Sequence, residues 1–455
     1  MKRIVRTPAE KLFEPSTQEL PLLRSQSRRK FLRRSASLAV APALASTAAL
    51  AGKEQGSEAK WPERRKEIVR HWLDLLGEFP TEVPSLKPKM KVVADEEGIK
   101  RYHVSFQSEP DDRVTAWLLV PESVKKQPTP AIICIHSTTF GTGKDKTAGL
   151  AGTNLGDPPE SAEASRAYGR ELARWGYVTL CIDLLCDGER VAKGQKVLDS
   201  SEFYRRHRDW SIVGKNTWDV MRSVDFLQTL DFVDDQHIGC VGHSLGGHST
   251  LFAAAFEPRL TASVCNGGLL DWIRKNPHWA RPEDHDPQAE VERSLGYRPS
   301  NVGVYTYIKR FRPYIEDPRK PIPVDFDSLM MLVAPRPLLV MGTEHEFAAQ
   351  STPAKCARAY EVYRDWQDTD GLPNVVASRE RCPGGHAKTL EFYKVSSEKL
   401  QQVYARLGAA DRLTWFSYPG GHGYPPVAKR FSFSWFDRWF GHTPSVPTIW
   451  PREII

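Results

Sequence analysis

IGCVGHSLGGHSTLF, residues 238–252, decides the fold of this chain. The apolar run 238–241 has the form of a short strand, the next five residues read Gly-x-Ser-x-Gly, and 249–256 has the form of a helix. This order is that of a nucleophile elbow, a sharp strand-to-helix turn that presents a serine and needs glycines where neighbouring chains come close. On the order of 0.1 such matches arise by chance in a chain of this length, so the surrounding sequence must decide whether Ser244 is a nucleophile.

Short apolar strands and amphipathic helices alternate on both sides of this turn. The pattern predicts strands at 131–135, 177–182, 262–265, 338–341 and 413–418, and helices at 166–175, 216–230 and 427–440. Continuous apolar strands separated by helices are typical of a parallel sheet that is covered on both faces. The predicted fold class is therefore α/β.

The part of the chain before these strands has a different pattern. Residues 61–77 carry apolar side chains at helical spacing, which predicts a helix that packs on the surface of the body. Alternating apolar residues at 102–106 and 114–120 flank a turn at 108–112. This arrangement predicts a β-hairpin ahead of the parallel sheet.

About seventy residues separate the predicted strands at 262–265 and 338–341. This insertion, roughly 267–330, is rich in tryptophan, tyrosine and proline, and connections of such length are uncommon in a compact domain unless they are functional. We expect it to form either a cap over the site or a structural flange without contact to the substrate.

The positive charge of the chain is concentrated at its beginning. Residues 1–51 hold ten basic and three acidic side chains, which accounts for the whole formal net charge of +7. Because the remaining basic and acidic residues balance, the body gives no electrostatic reason to expect a nucleic-acid partner.

The same residues, 1–51, have the features of a targeting segment. SRRKFLRR at 27–34 precedes a mildly apolar, alanine-rich stretch, and together they resemble a twin-arginine export signal. Cleavage is expected after Ala-Leu-Ala at 49–51, with 43–45 as the second choice. The alternatives are a basic disordered tail and an uncleaved anchor, but the stretch is softer and shorter than the about 20 apolar residues of an anchor. We expect a periplasmic or secreted protein that meets the twin-arginine export machinery and has no stable membrane span in its mature form.

The seven cysteines do not suggest a metal site. Cys134, Cys181, Cys240 and Cys265 lie inside apolar runs and are expected to be buried small hydrophobic side chains. No CxxC pair suggests zinc. The sequence implies neither a metal ion nor an organic cofactor.

A serine hydroxyl becomes a nucleophile when a base takes its proton and a carboxylate orients that base. In sheets of this kind the chain order is Ser, then Asp or Glu, then His. His422, in a glycine-rich loop after the last predicted strand, is the predicted base, and His386 is the competitor that precedes this strand. His243 and His248 flank the elbow and are expected to be packing or rim residues.

The orienting acid is expected directly after the strand at 338–341. The sequence there is GTEHEFA, residues 342–348, and supplies Glu344 and Glu346. We favour Glu346, and Asp271 after the preceding strand is the fallback.

An oxyanion hole needs two N–H donors that face the developing negative charge. Leu245, which follows the nucleophile at the start of a helix, is the first predicted donor. The second should come from the loop after 131–135, with Thr138 or Ser137 as the donor. His136 is expected to be structural in that loop.

Taken in this order, the motifs resemble the α/β-hydrolase superfamily, and more narrowly its acetyl xylan esterase and dienelactone hydrolase-like branch. The resemblance extends from about 62 to 440 and rests, beside the elbow, on IHSTT (135–139), GKD (143–145), ELARWGYVTL (171–180), DGER (187–190), WDVMRSVDFL (218–227) and APRPLLV (334–340). The domain organisation that we expect is a twin-arginine signal peptide at 1–51, a helical segment at 52–90 and an α/β-hydrolase domain at 91–455.

The chain departs from this pattern in two places. Dienelactone hydrolase proper uses a cysteine where this chain has Ser244, which argues against that substrate. The aspartate that the family usually has after the penultimate strand is missing, and the acid is therefore open among Glu346, Glu344 and Asp271.

The predicted function is that of an exported serine hydrolase that cleaves carboxylic esters, as acetyl xylan esterases do, through an acyl-enzyme on Ser244. A small-molecule or glycan ester is the expected substrate. One alternative is a serine peptidase of the prolyl oligopeptidase type, but such enzymes usually bring a large N-terminal propeller and only about eighty residues lie between the leader and the first core strand. The other alternative is a non-catalytic binding protein with this fold, which the missing aspartate would suit.

Overall fold

The computed structural model describes residues 61–150, 166–269, 273, 277–280, 300–343, 387–418 and 423–444. Within these ranges a nine-stranded sheet forms the centre of the molecule, in the spatial order β1-β2-β3-β5-β4-β6-β7-β8-β9. The strands are β1 (Lys89–Glu96), β2 (Ile99–Glu109), β3 (Asp112–Pro121), β4 (Thr129–Ile135), β5 (Val178–Ile182), β6 (Val233–His243), β7 (Leu260–Asn266), β8 (Leu338–Thr343) and β9 (Leu413–Tyr418).

The sheet has an antiparallel and a parallel part. β1, β2 and β3 pair antiparallel, and β3 pairs antiparallel with β5. From β5 through β4 to β9 all neighbours are parallel. The predicted α/β class and the predicted hairpin of β2 and β3 are thereby confirmed.

The winding of the sheet reverses at its centre. From β4 the chain first adds β5 on one side and then β6 on the other side of β4. In open α/β sheets, ligands bind outside the carboxyl ends of the strands at such a reversal. β6, which leads into the elbow, ends at this point.

Helices lie on both faces of the sheet. The described helices are α1 (Trp61–Leu76), α2 (Lys144–Thr147), α3 (Tyr168–Trp175), α4 (Ser201–Arg206), α5 (Ile212–Leu227), α6 (Leu245–Phe256), α7 (Arg312–Glu316), α8 (Phe326–Met331), α9 (Ala387–Arg406) and α10 (Pro426–Phe440). Side chains of α3 and α10 belong to the core on one face, and those of α1, α5, α6, α8 and α9 to the core on the other.

The apolar runs of the central strands supply both core layers. In β4, Ile133 and Ile135 face the layer of α5 and α6, whereas Ile132 and Cys134 face the layer of α3 and α10. Successive side chains of a strand point to opposite faces. A strand that is covered on both sides therefore needs apolar residues at every position.

The cysteines of these strands are packing residues, as predicted. Cys134, Cys181, Cys240 and Cys265 are fully buried free thiols. Burial raises the pKa of Cys240 to about 12, so this thiol stays protonated at neutral pH. Within the described ranges, no group of three or more histidine, cysteine, aspartate or glutamate side chains could hold a metal ion.

Six of the described elements were not expected from the sequence: β1 and the helices α2, α4, α7, α8 and α9. β1 is largely exposed and has no apolar alternation. α9 is mostly polar, although its buried Tyr393, Leu400 and Tyr404 do have helical spacing. α5 begins at Ile212 instead of 216, because the Ser211 side chain accepts a hydrogen bond from the Gly214 N–H and caps the first turn.

The described part of the insertion lies next to the elbow. Trp279 and Tyr307 pack against His248 near the start of α6, with ring centroids 4.9 and 5.2 Å from its imidazole. A second contact joins it to the segment before α4, where Val304 O accepts hydrogen bonds from the N–H and the hydroxyl of Ser200, both at 3.0 Å. The insertion thus reaches the neighbourhood of Ser244, and its action as a cap stays a prediction.

Among the described helices, none has the length and apolar character that a membrane crossing requires. The predicted leader, 1–51, lies outside the described residues.

Candidate active site

Ser244 lies directly after β6 in the backbone conformation of a nucleophile elbow. Its φ of 57° and ψ of −118° belong to a region that favours glycine, which costs a non-glycine residue roughly 1–3 kcal/mol. Two backbone hydrogen bonds hold the turn, from Ser244 N–H to Asn266 O (2.9 Å) and from His248 N–H to Ser244 O (3.1 Å). The half-buried serine is therefore fixed in a strained position at the carboxyl edge of the sheet.

Close packing explains the two glycines of the motif. A Cβ at Gly242 would overlap the backbone of Gly246. A Cβ at Gly246 would overlap the carbonyl oxygen of Ile135 and lie 2.8 Å from that of His136. The elbow thus packs directly against the end of β4.

We expect Gly246→Ala to lower the free energy of unfolding by about 3 kcal/mol or more, since the added methyl group has no room beside the fixed carbonyl groups. Urea denaturation measures this change. Gly194→Ala is the control, because Gly194 has a φ of 82° but nothing within 4 Å of an added Cβ. The control should lose only the cost of left-handed backbone, roughly 1–2 kcal/mol. Equal losses for the two variants would contradict the close packing at Gly246.

Two buried aspartates after β5 hold the loop that follows β4. The Asp187 carboxylate accepts hydrogen bonds from Thr139 Oγ1 (2.8 Å), Thr139 N–H (3.3 Å) and Gly141 N–H (2.8 Å). The Asp183 carboxylate accepts from the N–H and Nζ of Lys144, both at 2.8 Å. Because so many donors converge on two buried carboxylates, hydrogen bonds within the protein hold the loop backbone in place, as an oxyanion hole requires.

The predicted oxyanion donors lie on neighbouring backbones. Leu245 is the first residue of α6, and Thr138 is half-buried in the loop after β4. Gly246 packs against the carbonyl groups at 135–136, which brings the two segments together. Ser137, the alternative donor, is buried in the same loop. The assignment of Leu245 and Thr138 stays a prediction.

His136 ties the ends of β4 and β5 together. Leu184 N–H donates to its Nε2 (3.0 Å), and its Nδ1 lies 2.6 Å from Ser137 O. Since Nε2 accepts, Nδ1 carries the hydrogen and donates to the carbonyl oxygen. The ring is fully buried, and the structural role expected for His136 is confirmed.

A buried ion network fixes the segment that contains Asp187. Arg190 donates to Asp219 on α5 (2.7 Å) and to Asp112, the first residue of β3 (2.6 Å). Lys215 Nζ also lies 2.6 Å from the Asp112 carboxylate. Burial alone would raise the pKa of Asp112, but the two cations hold it below its usual range. The DGER motif, residues 187–190, thus connects Asp187, which holds the loop after β4, to α5 and to the hairpin of β2 and β3.

The predicted base and acid lie outside the described residues. This holds for His422 and Glu346 and for the alternatives Glu344, Asp271 and His386. Their assignments stay predictions.

Gly423, the described residue next to His422 in the chain, is nevertheless linked to the elbow through Asn266. Gly423 O, one residue further on, accepts a hydrogen bond from Asn266 Nδ2 (3.1 Å). Asn266 is also the residue whose carbonyl accepts the Ser244 N–H. Sequence analysis missed Asn266, although a polar residue at the carboxyl end of a buried strand is the kind of signal that marks a site in this fold.

The two histidines of the elbow are buried, in agreement with the expected packing role. His243 Nδ1 accepts a hydrogen bond from Asn266 Nδ2 (3.0 Å). Burial lowers the pKa of His248 to about 3, against the opposing effect of a backbone hydrogen bond at Gly268. His248 is therefore neutral in the pH range where an ordinary histidine titrates.

Comparison with known sequences gives a partial family match. The family model described as "Glucuronyl esterase, fungi" matches residues 189–366, less than half of the chain. The Bacillus subtilis (strain 168) protein "Putative hydrolase YtaP" is 25% identical over 207 residues, 44% of this chain and 62% of that protein. "Carbohydrate esterase MZ0003", from an unknown prokaryotic organism, is 22% identical over 206 residues, 42% of this chain and 44% of that protein. The chain thus matches less than two thirds of the length of either relative.

Comparison with solved structures shows the fold. A glucuronoyl esterase from Solibacter usitatus superposes with a TM-score of 0.55 at 16% sequence identity, over 85% of this chain and 94% of that chain. At this identity the similarity concerns the fold alone. Together with the sheet order and the elbow, it shows that this chain has the α/β-hydrolase fold, as predicted.

Proposed function

We propose that this protein is a carbohydrate esterase, a serine hydrolase that cleaves carboxylic esters through an acyl-enzyme on Ser244. The elbow is the observation that carries the proposal. A half-buried serine is held in strained backbone between the start of a helix and a loop that two buried aspartates order. A serine that only packs has no need of this strain, whereas a nucleophile gains a fixed, exposed hydroxyl from it.

In this mechanism, Ser244 Oγ attacks the ester carbonyl carbon while His422 takes the hydroxyl proton, and Glu346 stabilises the imidazolium. The N–H groups of Leu245 and Thr138 stabilise the negative charge on the former carbonyl oxygen. His422 then gives the proton to the leaving oxygen, and the alcohol departs. Water, deprotonated by the same imidazole, attacks the acyl carbon, which releases the carboxylic acid and restores the serine.

The matched relatives support the carbohydrate part of the proposal. One curated relative is named a carbohydrate esterase, and the matching family model is described as glucuronyl esterase. An ester of a uronic acid has the sugar in its acyl half, whereas an acetylated sugar has it in the alcohol half. The sequence motifs favour the acetyl ester and the family match favours the uronate ester, so both belong in the substrate panel.

The panel comprises p-nitrophenyl acetate, acetylated xylan, the methyl ester of glucuronic acid and a peptide p-nitroanilide, each offered to the purified protein. Hydrolysis of p-nitrophenyl acetate and of at least one sugar ester is the expected result. Hydrolysis of the anilide without the sugar esters would favour the peptidase alternative. Absence of turnover with all four would favour the non-catalytic binding protein.

We also propose that the protein leaves the cytoplasm by the twin-arginine route, on the basis of the leader. Replacing both Arg28 and Arg29 by lysine should leave the precursor in the cytoplasm, because lysine keeps the charge but lacks the planar guanidinium. Cell fractionation measures the change. The same double replacement at Arg33 and Arg34 is the matched control and should leave export intact. Equal export of the two double variants would argue for another route.

A further inference from the structure

Asn266 ends β7, the strand between the nucleophile strand β6 and the strand β8 that precedes the predicted acid. Its backbone pairs with His243 of β6 on one side and with Met341 of β8 on the other. Asn266 is fully buried. Neighbouring strands therefore hold this residue from both sides at the carboxyl edge of the sheet.

Hydrogen bonding fixes the orientation of the Asn266 amide. Nδ2 donates to His243 Nδ1 (3.0 Å) and to Gly423 O (3.1 Å). Because a carbonyl oxygen can only accept, the nitrogen of the amide and not its oxygen must face Gly423. His243 Nδ1 then accepts as well, and both amide hydrogens are used.

Gly423 contacts the end of β7, although it follows β9 in the chain. β9 is two positions away from β7 in the sheet, which corresponds to roughly 10 Å at the usual strand spacing. Gly423 nevertheless lies within hydrogen-bond distance of the end of β7. Gly423 thus lies at the end of β7, the neighbour of β6, and His422 directly precedes it in the chain.

We propose that Asn266 is a positioning residue that holds the loop of His422 against the elbow, so that the imidazole meets Ser244. Its carbonyl accepts the Ser244 N–H (2.9 Å), and its amide holds Gly423. One residue thus fixes both the backbone of the nucleophile and the loop of the base. The inference rests on the proposed function, because it assigns Asn266 a role in that triad.

Two substitutions at this position separate hydrogen bonding from packing. Asn266→Ala removes the side-chain donors together with their volume. Asn266→Asp keeps the shape but places an oxygen opposite the Gly423 carbonyl oxygen. Both variants should lose about 100-fold in kcat for p-nitrophenyl acetate, since a displacement of about 1 Å is enough for such a loss. KM should stay near the wild-type value, because the amide contacts the loop and not the substrate.

A fluorophosphonate probe gives a second readout that does not depend on the natural substrate. Ser244 Oγ forms a bond to phosphorus, the bond to fluorine breaks, fluoride leaves, and the serine proton passes to His422. The rate of this labelling should fall in parallel with kcat in both variants. Asn216→Ala is the matched control, since the buried Asn216 amide accepts from Leu185 N–H (3.1 Å) and donates to Tyr305 Oη (2.7 Å). It should lower the melting temperature with a far smaller loss of labelling rate.

The Asn266→Asp variant distinguishes a hydrogen-bonding role of Asn266 from a role in packing alone. A packing role predicts wild-type labelling for Asn266→Asp, which has nearly the same size, and that result would overturn the inference. A hydrogen-bonding role predicts that the labelling rate of Asn266→Asp falls at least as much as that of Asn266→Ala. If either variant melts below the assay temperature, Asn266→Ser, which keeps one donor, should react more slowly than wild type, and equal rates would overturn the inference. A wild-type protein that neither labels nor hydrolyses the ester would instead overturn the proposed function.

Discussion

Ser244→Ala is expected to lower the turnover of p-nitrophenyl acetate by about 10⁶-fold, the loss that removal of a triad serine has caused elsewhere. The hydroxyl supplies the attacking atom, and no other atom of the elbow can replace it. The hydrogen bonds that hold the turn use the backbone N–H and carbonyl of Ser244 and survive the substitution. The melting temperature should therefore stay close to that of the wild type, as circular dichroism would show.

Ser249→Ala is the matched control for this prediction. Ser249 lies about one turn further along α6, is buried, and donates from Oγ to Leu245 O (2.7 Å). Its loss should cost about 1 kcal/mol of stability, the net contribution of one hydrogen bond, and leave most of the turnover. Should Ser244→Ala retain more than a few per cent of wild-type turnover, the serine mechanism would be wrong.

The central sheet could be predicted because burial on both faces leaves a local trace in the sequence. β4 and the second half of β6 are continuous apolar runs, and the helices between them repeat apolar residues at helical spacing. β1 leaves no such trace, since its Val92 and Val93 are exposed by 46% and 48% and the strand is held by backbone pairing with β2. The edge strand β1 therefore could not be predicted from the sequence and is evident only in the structure.

The candidate site likewise has one part that the sequence predicts and another that only the structure shows. Ser244, its flanking glycines and Leu245 belong to one contiguous motif, whose chemistry can be read locally. Asp187 acts on Thr139, 48 residues away in sequence, and Asn266 acts on Gly423, 157 residues away. Such partners meet only through the sheet order, so a local pattern can mark Asp187 and Asn266 as candidates but cannot identify the residues that they hold.

Glu346→Gln should have the second largest effect, about 10⁴-fold in kcat, as the same carboxylate-to-amide change has had in another triad enzyme. β8 is parallel to its neighbour β7, and β7 is parallel to β6, so β8 ends at the same edge of the sheet as β6, three residues before Glu346 in the chain. Glutamate is one methylene longer than the usual aspartate, which lets its backbone lie further from His422. Glutamine keeps this length but removes the charge that stabilises the imidazolium.

Glu344→Gln and Asp271→Asn are the controls, since they make the same change of carboxylate to amide at the two alternative positions. An amide still donates and accepts hydrogen bonds, so a carboxylate that only packs or faces solvent loses little when it is replaced. The residue that faces the imidazole loses its negative charge and also favours the wrong tautomer of the ring, which is why its replacement costs so much more. Steady-state kinetics of the three variants on p-nitrophenyl acetate measure the difference. A loss in Glu344→Gln or Asp271→Asn far above that in Glu346→Gln would assign the acid to that residue instead.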